Sequence, residues 1–241
     1  MTTAKNIPYP FDPGITFPAY LTRHSLLLAV KEYAPELEGN LLDFGCGSRP
    51  YQSLFSVDKY IGLDFENPGH PHQNEHIDLF YDGKKIPFAD EYFDAVFSSE
   101  VFEHVFNLEE ILKEINRVMK IDGKILITCP FAICEHEVPH DFARYSSFGI
   151  RSILEKNGFQ IIQQLKTGNN VETVFQLWIM YIHQHITPFV RKIPIVRSIF
   201  RWFTYTSLNS LAIFLSKILP DRNDLYLNNV VLCKKIKNIF G

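Results

Sequence analysis

Acidic residues are missing from a long stretch of this chain. Between Thr173 and Pro220 there is no Asp or Glu, while Arg191, Lys192, Arg197, Arg201 and Lys217 are present. The chain as a whole carries −3, so those five cations leave −8 on the remainder. Such a split reads as a basic, apolar module attached to an acidic body. The four cysteines (46, 129, 134, 233) form no C-x-x-C pair, which argues against a disulfide framework and for a reduced, cytosolic compartment. Met1 to Pro13 is polar and proline-rich and lacks the charged-then-apolar order of a signal peptide. No apolar run reaches the roughly 18 residues of a spanning helix. There is no internal repeat and no low-complexity tract. An apolar content of 46% with low net charge excludes a disordered chain. The length suits one α/β domain with an elaboration.

What is present is most specific at Leu41-Leu42-Asp43-Phe44-Gly45-Cys46-Gly47, followed by Tyr60-Ile61-Gly62-Leu63-Asp64. An apolar strand, an acid, a Gly-x-Gly turn and a second strand ending in a carboxylate form a layout that binds adenosine-containing cofactors at the carboxyl ends of parallel strands. A dinucleotide site wants a third glycine three residues on, where this chain has Pro50. Asp43 stands just before the turn, where it would repel a phosphate but favour a sulfonium or ammonium. Bare backbone at Gly45 and Gly47 leaves room for a ligand, and Asp64 can accept two ribose hydroxyls. The pattern points to S-adenosylmethionine rather than NAD. The plain alternative is an ordinary tight turn in which Asp43 satisfies backbone amides.

Spacing predicts helices over Phe17–Leu37, Asn107–Lys120 and Ser146–Asn157. In the second, Leu108, Ile111, Leu112, Ile115, Val118 and Met119 form one stripe, and Asn107 with Glu110 resembles a capping box. Strands are expected at Asn40–Phe44, Tyr60–Asp64, Glu75–Tyr81, Phe93–Ser98, Lys124–Cys129, Phe159–Leu165 and Leu225–Lys234. Asp122-Gly123 is the expected turn into the fifth. Strands alternating with helices imply an α/β sheet covered on both faces.

Several motifs in order carry a family resemblance: Leu42 to Gly47, Asp64, Asp82-Gly83 before Ile86-Pro87-Phe88, Phe93-Asp94-Ala95-Val96 leading to Ser99 and Glu100, then Glu103-His104-Val105, and Asp122-Gly123. With them the chain resembles class I S-adenosylmethionine-dependent methyltransferases of the UbiE/UbiG-like, methyltransferase type 11 group. That resemblance implies a Rossmann-like, seven-stranded, mostly parallel sheet, with residues 170–222 as a helical insert before the last strand of a single domain. It implies a cofactor site at Asp43, Gly45, Gly47, Asp64, Asp82, Gly83 and Ser99, with Asp82 near the adenine amine. Ser48-Arg49-Pro50 departs from the group's third glycine, and Pro50 is placed to start a helix. Pro139-His140-Asp141-Phe142-Ala143-Arg144-Tyr145-Ser146 looks like a subgroup associated with cell-surface polysaccharide or lipid biosynthesis.

O-methylation of a small-molecule or lipid-linked acceptor is therefore the expected reaction. His140 is the candidate base and Asp141 the candidate for orienting it; His136 lies near. The alternative is that His140, Asp141 and Arg144 only pin a loop. Glu100, Glu103 and His104 are expected on one helical face, at a spacing that some quinone-biosynthesis O-methyltransferases link to magnesium. Magnesium prefers oxygen donors, and histidines 70, 72 and 76 lack a partner set, so no metal is expected. The acid-free segment 173–220 suits an anionic membrane surface, a pocket lid or a homodimer contact. Its cations are interleaved with bulky aliphatics, so no nucleic-acid partner is expected. Peripheral placement at the inner membrane face accompanies the cytoplasmic expectation. The competing functions are a lipoquinone or polyketide O-methyltransferase and, from another class, a non-catalytic cofactor-binding or membrane scaffold.

Overall fold

Short apolar runs become seven strands in the computed structural model, which describes residues 7–66, 75–190 and 194–239. They are β1 (Asn40–Phe44), β2 (Lys59–Phe65), β3 (Leu79–Tyr81), β4 (Phe93–Ser99), β5 (Met119–Pro130), β6 (Phe159–Thr167) and β7 (Asn228–Lys235). Their order in the sheet is β3-β2-β1-β4-β5-β7-β6. β7 runs antiparallel to both β5 and β6, while β1 to β5 pair in parallel. The expected Rossmann-like, mostly parallel sheet is therefore present. The strand order turns back between β1 and β4, and the crevice at such a switch point is where open α/β sheets take ligands.

The helices are α1 (Tyr20–Tyr33), α2 (Leu108–Val118), α3 (Ser147–Lys156), α4 (Asn170–Tyr181), α5 (Thr187–Val190) and α6 (Pro194–Ile218). Side chains alternate across the sheet. Leu42, Ile125 and Ile127 pack with α2 and α3, whereas Leu41 and Leu126 pack with Leu26, Leu27 and Val30 of α1. Ile111, Leu112, Ile115 and Val118 are fully buried. Ile115→Ala is expected to cost about 3 kcal/mol in a urea titration, the usual range for emptying such a site.

Local chemistry explains several departures from the sequence reading. Met119 begins β5 instead of ending α2, and Asp122-Gly123 sits in a bulge of that strand opposite Asp94. Because α2 passes straight into β5, its last carbonyls need another donor. Buried Lys235 of β7 supplies it, with Nζ 2.7 Å from Asn116 O and 2.6 Å from Met119 O. The expected capping box at Asn107 does not form: its amide donates to Glu110 Oε2 and to Gly83 O. A capping box instead starts α4, between Asn169 and Glu172. Pro50 starts no α-helix. Arg49 before it is left-handed (φ 53°), and only a 3-10 turn, Gln52–Leu54, lies between β1 and β2.

Between β6 and β7, α4 continues through a π-helical turn (Ile182–Ile186) into α5, and α6 then lies back along α4. The inner face of α6, with Tyr205, Asn209 and Ala212 buried, packs on Ile179, Ile182 and Leu21. Asn209 Nδ2 donates to Ile15 O (2.7 Å) and Phe17 O (3.1 Å), which fastens α6 to the segment entering α1. Among the described residues no helix is long and apolar enough to cross a membrane. The loop Pro68–Pro71 with His70 and His72, and the cations Arg191 and Lys192, lie outside the described residues.

Candidate active site

The turn after β1 is held open by two glycines. Gly45 (φ 72°) and Gly47 (φ 45°) are left-handed, and a Cβ on Gly45 would fall 2.4 Å from Val101 Cγ2. The amides of Gly45 and Cys46 donate to Leu63 O, while Gly47 N donates to Asp64 Oδ2 at 2.7 Å. Phe65 N donates to the other carboxylate oxygen at 2.7 Å. Asp64 thus clamps the glycine turn while standing at the end of β2.

Asp43 is 3% exposed and accepts a hydrogen bond from Tyr60 Oη at 2.5 Å. In register Asp43 faces Gly62, so the Tyr60 ring two residues back shares that face and can reach it. A side chain at 62 would strike the Arg49 guanidinium and Cys46 Sγ, both within 2.7 Å of its Cβ. Arg49 in turn pairs with Asp78 at 2.8 Å. Burial pushes the Asp43 carboxyl up to about 7 despite the Tyr60 bond. A buried carboxyl in that state, beside bare backbone, fits a ligand that brings its own positive charge.

Asp82 is exposed, and the amides of Lys85 and Lys84, each 2.9 Å from Oδ1, hold it below the usual carboxylate range. Gly83 (φ 76°) lies against the Phe65 ring. Ser99 donates to Thr128 Oγ1 (2.8 Å), because the Thr128 hydroxyl hydrogen goes to Glu100 Oε1 (2.9 Å). One cavity of about 620 Å³ brings Asp43, Gly45, Gly47, Asp64, Asp82, Gly83 and Ser99 together. It continues without a break to Glu100, His104, Glu137, His140 and Phe142.

His140 and Asp141 part company. His140 lines the cavity, and its carbonyl oxygen lies 2.6 Å from His104 Nδ1. Asp141 is not among the lining residues. It takes a two-pronged pair from Arg144 (2.5 and 2.6 Å) and the amide of His136 (3.0 Å). The Arg144 guanidinium holds its carboxyl down at about 2. Asp141 therefore fastens the loop beside His136 instead of orienting His140.

Glu100, Glu103 and His104 do not share a helical face. Glu100 is left-handed (φ 57°), and only a 3-10 turn, Phe102–His104, follows. Glu100 turns to Thr128 and to Asn228 Nδ2 (2.7 Å), and burial raises its carboxyl to about 6.

Sequence reasoning missed three further groups. Tyr60 reaches Asp43, and α1 carries Arg23 to the cavity wall, where its guanidinium sits 4.8 Å from the Phe11 ring centroid. Glu137 lines the same cavity near His140. Only Tyr60 left a signal, in its two-residue offset from Gly62.

Residues 42–127 match the family model described as a methyltransferase domain, Methyltransf_11. No curated protein matches the chain. Among solved structures the chain is similar to a chain of the complex between the Haloferax volcanii Trm112 methyltransferase activator and a methyltransferase (18% identity, TM-score 0.52, 89% of this chain and 90% of that one). It is similar to the [4+2]-cyclase SpnF (16%, 0.56, 90% and 84%). It is also similar to phosphoethanolamine N-methyltransferase 2 of Haemonchus contortus in complex with S-adenosyl-L-methionine (18%, 0.50, 89% and 53%). At these identities the likeness shows the fold, and a cyclase among the neighbours illustrates that the fold alone does not set the reaction. The matched domain, the strand order and the acid–glycine turn agree: residues 42–127 carry a methyltransferase type 11 domain, and the sheet around them has the class I fold of S-adenosylmethionine-dependent methyltransferases.

Proposed function

We propose that the enzyme methylates a hydroxyl of a lipid-linked acceptor at the surface of an anionic membrane, as cell-surface glycan or lipid biosynthesis requires. The observation that carries this reading is the outer face of α6. Ile195, Ile199, Trp202, Phe203, Phe214 and Ile218 are each about 60% exposed or more, at helical spacing along a helix about 37 Å long. Arg197, Arg201 and Lys217 border them, and no acid interrupts the segment. A stripe of aromatics and aliphatics edged by cations suits a helix lying in the headgroup layer. Through Asn209 the same helix grips the segment leading into α1, which carries Arg23 to the cavity.

When bound, S-adenosylmethionine supplies an electrophilic methyl carbon, which the acceptor oxygen takes as the carbon–sulfur bond breaks and sulfur keeps the electron pair. The candidate cofactor residues divide the binding. Asp64 would accept the ribose hydroxyls, Asp82 and Gly83 would hold the adenine end, and Gly45 and Gly47 offer bare backbone, with Ser99 on the wall. Asp43 would balance the positive charge. His140 is the candidate to take the hydroxyl proton onto a ring nitrogen, and Asp141 holds the loop that presents it. Alignment of acceptor and methyl in this cavity would supply much of the rate.

Membranes of the source organism, incubated with enzyme and methyl-labelled cofactor, should yield label in the organic extract that survives mild alkali. Label confined to water-soluble products would overturn the reading. Ile199→Glu/Phe203→Glu is expected to weaken sedimentation with phosphatidylglycerol vesicles by tenfold or more, since burying either side chain is worth about 1.5–3 kcal/mol. A wild type that is dimeric in light scattering and ignores vesicles would make this face a dimer contact instead.

A further inference from the structure

We propose that Glu103, His104 and His136 form a site for one divalent transition-metal ion, of zinc-like ligand preference, in the wall of the cavity. The observation that demands an occupant is Glu103. Its side chain is fully buried, and neither carboxylate oxygen has a hydrogen-bond partner among the described residues. Leaving such a group unsatisfied is costly, and native structures seldom do so without a reason.

Both neighbouring imidazoles present Nε2 to the same oxygen. Glu103 Oε1 lies 3.6 Å from His104 Nε2 and 3.9 Å from His136 Nε2. These separations are too long for hydrogen bonds. They are close to what two ligands of one ion need: with bonds of about 2.0–2.1 Å, tetrahedral donors stand about 3.4 Å apart. All three donor atoms lie within 4.8 Å of one another. Closure on an ion then takes about an ångström of movement, for which the half-buried His136 has room.

The outer contacts set the imidazoles up as ligands. His104 Nδ1 is 2.6 Å from the His140 carbonyl oxygen, so that nitrogen carries the hydrogen and Nε2 the lone pair. His136 Nδ1 is flanked by two acceptors, Cys134 O at 3.3 Å and Asp141 Oδ2 at 3.4 Å, which favour the same tautomer against the single donor there, Arg144 Nη2 at 3.4 Å. A second imidazole nitrogen held by a carbonyl or carboxylate is the usual arrangement behind metal-bound histidine. Glu137 Oε2, 3.8 Å from His104 Nε2, is in reach as a fourth donor from the cavity side. Two nitrogens with a carboxylate suit zinc, cobalt or iron better than magnesium. Glu100, engaged by Thr128 and Asn228, is not part of the set. His104 and Glu137 line the cavity, so the ion would stand beside an acceptor hydroxyl and lower its pKa. That use rests on the methyl-transfer reading; binding of the ion does not.

The test is titration of cobalt(II) into chelator-stripped full-length protein without cofactor. One equivalent should bind with visible d–d absorption and be displaced by zinc. His136→Gln should weaken binding at least 100-fold, and Asp141→Asn 10–100-fold through loss of the outer contact. Circular dichroism checks that both variants are folded. No stoichiometric cobalt in folded wild type, or undiminished binding in folded His136→Gln, would overturn the site. Calorimetric binding of S-adenosylmethionine to the same wild-type sample separates that failure from failure of the methyl-transfer reading.

Discussion

Asp64→Ala should reduce the affinity for S-adenosylmethionine by about 10²–10⁴-fold, because two hydrogen bonds to a charged acceptor are each worth about 1.5–3 kcal/mol. The loss has two sources that a second variant separates. In the free protein each carboxylate oxygen already accepts one amide, Gly47 N at 2.7 Å and Phe65 N at 2.7 Å. The carboxylate therefore shapes the glycine turn before any ribose arrives. Asp64→Asn keeps one acceptor oxygen and can hold the turn, so it should lose about tenfold. Calorimetric titration of both variants and wild type is the check. Equal affinity in wild type and Asp64→Ala would remove Asp64 from the cofactor site.

The second large effect is a pH dependence set by Asp43. Burial raises its carboxyl to about 7, so at pH 6 most of it holds a proton and cannot balance a cation. Cofactor affinity should fall about tenfold per pH unit below 7 and level off above it, with a proton released on binding at pH 6. Titration in buffers of different ionisation enthalpy measures that proton. Asp43→Asn should flatten the profile at the low-affinity end.

The free enzyme should show the opposite trend in stability. Asp43 and Glu100 are raised in the folded state, to about 7 and about 6, above their unfolded values. Their stabilising contribution is complete below about pH 4 and is lost as pH rises through those folded values. At pH 8 the ionised Asp43 costs up to about 4 kcal/mol, from about three pKa units at 1.36 kcal/mol each. Asp43→Asn should therefore stabilise the cofactor-free protein at pH 8 by a few kcal/mol and change little at pH 4. Asp141, held down at about 2 by Arg144, acts in the other direction only in strong acid. A melting temperature independent of pH between 4 and 8 would contradict this account.

The sequence by itself determined what depends on near neighbours along the chain. Apolar runs bounded by turn residues located all seven strands, although β3 is shorter than expected and β5 longer. The stripe through Leu108, Ile111, Leu112 and Ile115 is the buried face of α2. The acid before Gly45-x-Gly47, and Asp64 one strand later, sit where parallel pairing of β1 with β2 must bring them. These features follow from side-chain period and turn chemistry, which act over a few residues.

Only the tertiary structure decided which polar groups meet. Asn228 reaches Glu100 across 128 residues because β7 enters the sheet antiparallel between β5 and β6. One left-handed residue at Glu100 removes it from the Glu103–His104 pair, and the loop after β5 puts His136 there instead. Asp141 leaves its neighbour His140 for Arg144, and Arg23 arrives on a helix that carries no motif. Each is a matter of backbone direction and long-range packing, on which the local sequence pattern has no hold.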